Sequence, residues 1–224
     1  FWLKFSVYVL LVLFLSGALS KNLKDQNEPK SDDDSSELIL NISNYEYPQP
    51  ESKDSDTYTV AIVGTNDIHG GAFPNDSLDV VNEVDFIYGG LEYMASLVKA
   101  VRKDWGSRML LLDAGDQFQG GMENKLSDGQ VISDYMNHIQ YDAATFGNHE
   151  FDFGQEFLKK RIASGKYPYL SANILDDQDR SVSHIFNGTK QTNLFQLGKV
   201  KIGVIGLTTI ETPFKSKADF TNIN

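Results

Sequence analysis

The 224 residues are 41% hydrophobic and 12% aromatic, enough apolar material for one good core and hardly for two. Lys and Arg number 20 against 31 Asp and Glu, a net charge of −11 that repels nucleic-acid backbones, so no nucleic-acid partner is expected. The chain has no cysteine, which excludes disulfide frameworks, thiol nucleophiles, zinc fingers and iron–sulfur clusters. If the protein handles phosphate, something other than surface Lys and Arg must supply the positive charge.

Residues 1–20 read FWLKFSVYVLLVLFLSGALS: one lysine, an apolar run from Phe5 to Leu15, then small residues ending Ala18-Leu19-Ser20. That order is expected of a secretory signal cleaved after Ser20, and the run is shorter than the ~18–20 residues of a spanning helix. After cleavage no membrane span is expected, and the mature chain is expected outside the cell or on its surface. Residues 21–57 hold ten acids and four bases, with Asp32-Asp33-Asp34-Ser35-Ser36 and Tyr47-Pro48-Gln49-Pro50, and read as an acidic disordered linker. The sequons at Asn41, Asn75 and Asn187 fit surface loops of a glycosylated secreted chain.

From Tyr58 onward, short apolar runs alternate with helical patterns. Strands are predicted at Tyr58–Thr65, Met109–Leu112, Tyr141–Phe146 and Tyr167–Ile174. Helices are predicted over Gly89–Lys103, Val131–Ile139 and Phe153–Ser164. Leu194–Leu197 and Lys201–Thr208, joined by Gly198-Lys199-Val200, read as a hairpin whose second strand is fully buried. Such alternation implies an α/β domain over residues 58–224 with parallel strands and antiparallel pairing near the end. In these sheets, ligands gather beyond the carboxyl ends of the strands.

Three of those ends carry polar clusters. The first strand runs into Asn66-Asp67-Ile68-His69-Gly70-Gly71. In extended backbone Asp67 and His69 point to one side, a half-site for a divalent cation, although a helix cap or an Asp–His hydrogen bond gives the same pattern. The second strand ends Asp113-Ala114-Gly115-Asp116, where an exposed Asp116 bridges two cations or serves as a turn or capping aspartate. The third ends Gly147-Asn148-His149-Glu150-Phe151-Asp152. Asn148 offers a neutral carbonyl ligand or a helix cap. One helical turn brings Asp152 beside His149, where a carboxylate orients the ring and raises its basicity. Delivered to one sheet edge, the three clusters make a two-cation site that supplies the positive charge the composition lacks.

Asn66–Gly70, Gly115–Gly120 and Gly147–Asp152 resemble the calcineurin-like metallophosphoesterases, specifically the secreted 5′-nucleotidase family. Gly89-Gly90-Leu91, Ser171-Ala172-Asn173 and Ile202–Thr209 also fit that family's spacing. The resemblance implies a layered sheet sandwich with flanking helices, incomplete at the carboxyl end. It implies that Asp67 and His69 hold a first metal, Asp116 bridges, Asn148 holds a second metal, and His149, paired with Asp152, contacts the phosphoryl group. Two divalent metal ions (Zn, Mn, Mg or Ca) are the implied cofactors, and a small-molecule nucleotide is the implied substrate, hydrolysed by metal-activated water.

The family's further histidine ligands are expected beyond Asn224, so the chain reads as an amino-terminal part of the catalytic domain. His138, within a helical pattern, and His184, beside a sequon, read as surface or structural residues. The alternative is a catalytically incompetent fragment or binding module of the same fold. A nucleotide-cofactor oxidoreductase is disfavoured, because Gly203-Val204-Ile205-Gly206 lacks the third glycine and the strand-to-helix setting of a dinucleotide fingerprint.

Overall fold

A computed structural model of the chain describes residues 4–11, 57–79, 84–176, 178, 180–216 and 222–223. The acidic tract expected as a linker lies outside them except for its last residue, as does Asn41. Strand β1 (Lys4–Leu11), inside the stretch read as a targeting signal, pairs in parallel with β2 (Thr57–Thr65). A hairpin, β3 (Asn75–Asp79) and β4 (Val84–Tyr88), then leads to helix α1 (Leu91–Trp105). Strand β5 (Met109–Asp113) is followed by helices α2 (Met122–Leu126) and α3 (Gln130–His138), and β6 (Ala143–Thr145) by α4 (Gln155–Ser164). Next come β7 (Tyr169–Leu170), β8 (Ile174–Leu175), β9 (Thr189–Lys190), β10 (Thr192–Leu197), β11 (Val200–Ile205), the short helix α5 (Thr212–Lys215) and β12 (Asn222–Ile223).

The main sheet has six parallel strands in the order β1-β2-β5-β6-β7-β9, which confirms the α/β architecture. Alternating side chains give its two faces different partners, because successive residues of a strand point to opposite sides. Ala61, Val63, Met109 and Leu111 join Met94, Val98, Ile132, Met136, Leu158 and Ile162 in the core beneath the helices. Val60 and Leu110 turn the other way, against Leu197, Phe195, Ile202 and Val204 of the β10–β11 hairpin. The result is three layers: helices, sheet, hairpin.

The hairpin forms where the glycine turn placed it, with Gly198 at φ 57° and the Tyr58 hydroxyl donating to Leu197 O at 3.2 Å. The expectation that its second strand is fully buried is wrong. Burial alternates along β11, and Ile205 and Leu207 are exposed, because only one side of a two-stranded ribbon meets the sheet. Two other boundaries differ from the sequence reading. The run from Tyr141 gives only three residues of strand, and the run from Tyr167 breaks at Ser171-Ala172-Asn173 into β7 and β8. At that break the Asn173 side chain donates to Thr208 O at 2.7 Å and accepts from Thr208 N at 2.9 Å, tying the chain beyond β11 to the main sheet.

Candidate metal centre at the carboxyl edge of the sheet

Because the strands are parallel, the segments after Thr65, Asp113 and Thr145 leave the sheet at the same edge. Backbone pairing continues past the strand ends. Ala114 N donates to Thr65 O, Asp67 N to Gly115 O, His69 N to Asp116 O and Gly70 N to Gln117 O, at 2.7–3.0 Å. This ladder runs through left-handed backbone: φ is 54° at Asp67, 50° at His69 and 58° at Asp116. The common direction of Asp67 and His69 therefore does not come from extended backbone, as the sequence suggested. A positive φ is uncommon outside glycine, and such residues gather where the surroundings over-determine a site. Among the described residues, three of the five non-glycine positions with positive φ are these three.

The side chains converge. One ligand-type atom from each of His69, Asp116 and His149 lies within 4.8 Å of the other two, and the two imidazole rings stand 5.1 Å apart, edge to face. His69 Nδ1 faces both the main-chain and side-chain oxygens of Gln119, at 3.2 and 3.0 Å, so its proton sits on Nδ1. Nε2 then points to Asp67 Oδ1 at 3.3 Å. With Nδ1 held by carbonyl oxygens, Nε2 is the nitrogen left to face a cation beside Asp67. Asn66 also donates to the Asp67 carboxylate.

The third loop begins with a single 3₁₀ turn, His149–Phe151, preceded by Asn148. Asn148 makes no side-chain capping bond, so capping does not account for it. The turn brings Asp152 Oδ2 to 2.6 Å from His149 Nδ1, as the three-residue spacing predicts. Since a carboxylate only accepts, Nδ1 carries the proton and Nε2 is the atom left for chemistry. Asp116 is half-buried rather than exposed, and its Oδ1 accepts the His149 main-chain N–H at 2.9 Å. His138 and His184 are exposed, on α3 and on the turn before β9.

Sequence reasoning missed the layer beneath. Asp113 is 3% exposed and accepts from Thr65 Oγ1 (2.6 Å), Gly115 N (2.9 Å) and Gln117 Nε2 (2.7 Å). Burial pushes its carboxyl up to about 6 against those bonds, with the nearby Asp116 charge adding to the rise. Tyr169 donates to Gln117 Oε1 at 2.6 Å, extending the network to β7. Glu150, fully buried, is raised to about 7 mainly by desolvation. It stood in the Gly-Asn-His-Glu tetrad that carried the resemblance but received no role. Nothing local in the sequence singles out Gln117 or Gln119.

Among the described residues no helix is long and apolar enough to cross a membrane. Residues 60–214 match the family described as Calcineurin-like phosphoesterase. The chain is 34% identical over 161 residues to a snake venom 5′-nucleotidase of Naja atra, covering 71% of this chain and 30% of that protein. It is 34% identical over 162 residues to the 5′-nucleotidase of Homo sapiens, covering 71% and 28%. Among solved structures it superposes on the Haemophilus influenzae NAD nucleotidase with a TM-score of 0.63 at 29% identity, covering 73% of this chain and 29% of that one. It superposes on a Thermus thermophilus 5′-nucleotidase precursor with a TM-score of 0.60 at 28% identity, covering 68% and 29%. The chain thus spans about 30% of the length of the relatives it matches. With a family match over residues 60–214 and relatives at 34% identity, the chain belongs to the calcineurin-like phosphoesterases and is 5′-nucleotidase-like within them.

Proposed function

We propose that this chain supplies the first part of the catalytic centre of a secreted, metal-dependent phosphoesterase that hydrolyses phosphate esters of nucleotides. The observation that carries the reading is the convergence of His69, Asp116 and His149 from three loops, with Asp67 against His69. Two carboxylates, one of them shared, an imidazole and a neutral amide suit divalent ions such as Zn or Mn, and the orientation of His69 by Gln119 fits that use. Asp67 and His69 would hold one ion, Asp116 would bridge, and Asn148 would hold the other. When bound, such ions lower the pKa of water and neutralise phosphoryl charge.

The residues of the chain supply the rest. His149, its Nδ1–H held by Asp152, turns Nε2 toward the phosphoryl oxygens and donates a proton there in its charged form. Asp116 fixes the loop of His149 through the main-chain N–H. The likeness to 5′-nucleotidases supports a nucleoside monophosphate as substrate, and the likeness to a venom enzyme supports export through the signal-like residues 1–20 ahead of an acidic linker. The 30% coverage of those relatives favours a second reading, in which this stretch binds metal without completing turnover.

Phosphate release from a 5′-nucleoside monophosphate, measured with Mn²⁺ and after chelation, separates the two. Metal-dependent release supports the enzyme. Mn²⁺ binding without release supports the incomplete site, and absence of binding refutes both.

A further inference from the structure

We infer that Glu150 is a positioning residue that sets the spacing between the loop carrying Asp116 and the loop carrying Asn148 and His149. The inference rests on the metal reading above and adds a role for a side chain to which no part has been given.

The Glu150 carboxylate accepts three main-chain N–H groups from two different loops. Oε2 takes Asp116 N at 2.8 Å and Gly147 N at 2.6 Å, and Oε1 takes Gln117 N at 2.6 Å. One oxygen atom thus joins the loop after β5 to the loop after β6. No lysine or arginine pairs with this carboxylate among the described residues, and its side chain is sealed from solvent. Burying a carboxylate is costly, and charge-assisted bonds to three N–H groups are what offset it.

The clamp holds two backbones in direct contact. A side chain at Gly115 would strike the backbone of Gly147, and one at Gly147 would strike the Asp116 carboxylate and main-chain nitrogen. Gly147 has no positive φ, so its glycine is required by proximity alone. Asp116 and His149 owe their mutual distance to this contact, since Asp116 Oδ1 also receives the His149 N–H across the same gap. Glutamine at 150 has the same size but only one accepting atom. Its carbonyl can keep Asp116 and Gly147, and its amide then confronts the Gln117 N–H, donor against donor.

The test uses the full chain with Glu150→Gln, Gly147→Ala and, as a destabilised control away from the clamp, Leu158→Ala in α4. Two quantities are read: amide hydrogen exchange at Asp116, Gln117 and Gly147, and Mn²⁺ affinity by calorimetry. Glu150→Gln and Gly147→Ala are expected to speed exchange at those amides and weaken Mn²⁺ binding about 10–100-fold, as loss of an outer support does at metal sites. Leu158→Ala should lower the melting temperature and leave Mn²⁺ affinity unchanged. Unchanged exchange in Glu150→Gln overturns the clamp. Faster exchange with wild-type Mn²⁺ affinity reduces Glu150 to a structural residue and overturns the positioning role. If Gly147→Ala alone folds, its Mn²⁺ affinity decides: wild-type affinity overturns the inference. A wild-type chain that binds no Mn²⁺ overturns the ligand-positioning claim through the metal reading itself, a failure recognisable because it needs no variant.

Discussion

Replacing Asp113 by Asn should change how stability responds to pH, with a sign that burial fixes. The carboxyl ordinarily ionises near 3.8 and in the folded chain at about 6. Between those values the folded state holds a proton that the unfolded state has released, so stability falls as pH rises through this window. A gap of roughly two pH units corresponds to about 3 kcal/mol, lost almost completely by pH 7 and not regained above it. The substituted asparagine keeps an oxygen for Gly115 N and Gln117 Nε2 and turns its amide toward the Thr65 hydroxyl, which can accept. It carries no charge at any pH. Urea unfolding of both proteins with metal chelated, at pH 4 and pH 7, isolates the effect, because titrating groups that do not interact with Asp113 cancel in the difference and the Asp116 charge is the smallest contributor to its rise. Wild type and Asp113→Asn should match near pH 4, with the variant ahead by about 3 kcal/mol at pH 7. A difference that stays flat, or that favours the wild type as pH rises, would refute the burial argument.

Asp116→Ala removes the carboxylate shared by the cluster and the acceptor of the His149 N–H, and should abolish both Mn²⁺ binding and metal-dependent phosphate release. Unchanged turnover excludes a bridging role. His149→Ala should lower turnover by about 10²–10⁴-fold, the range of a lost general acid, while most of the metal content survives; loss of metal instead would make the ring a ligand. Gly154→Ala tests strain against collision, since Gly154 has φ 84° but open space around its missing side chain. It should cost about 1–2 kcal/mol in chemical unfolding and leave Mn²⁺ affinity alone, whereas Gly147→Ala does the reverse in emphasis.

The parts of the fold legible in the sequence are those whose pattern is local. Leu91, Met94, Val98 and Val101 recur at helical spacing and form α1, and the apolar run of β2 forms a strand buried on both faces. The β3–β4 hairpin escaped because Asn75–Asp79 is polar and carries no such period. The burial of β11 was misjudged for a related reason. Val200, Ile202 and Val204 face Val60 and Leu110, while Lys201, Gly203 and Ile205 take the other side; the unbroken stretch Val204-Ile205-Gly206-Leu207 hides that alternation and does not reveal whether one partner or two will cover it. In the candidate site, residue types pointed to three loops that the sheet brings to one edge, and the three-residue step from His149 to Asp152 was readable because it spans one turn. The conformation of Asp67 and His69 was not readable. It follows from backbone bonds to Gly115 and Asp116, far away in the chain. Glu150 was invisible on the same ground, since its three donors lie on two loops that only the sheet brings together.

The charge distribution explains why these loops are built as they are. Asp67, Asp116 and Asp152 line the edge of the sheet, and Asp113 and Glu150 lie buried behind them. Among the described residues Asp67 contacts His69 and Asp152 contacts His149; the hydrogen-bond donors of Asp113 and Glu150 are neutral. Lys125 and Lys215 line the pocket beside Asp152, but among the described residues neither forms an ion pair with these five carboxylates, which would repel one another and open the loops if side-chain charge were the only force. Main-chain N–H groups hold them instead: three on Glu150, one each on Asp113 and Asp116. These donors are fixed in place, are not lost to solvent when the ring of a histidine turns, and occupy only the oxygens that face inward. His69, Asp116 and His149 are thereby left converging at an edge rich in carboxylates, an environment that, in the reading proposed above, would favour a divalent cation over a bare phosphate. On the proposed reading a cation would come before the phosphate ester, and the backbone clamp under Asp116 and His149 would hold its place.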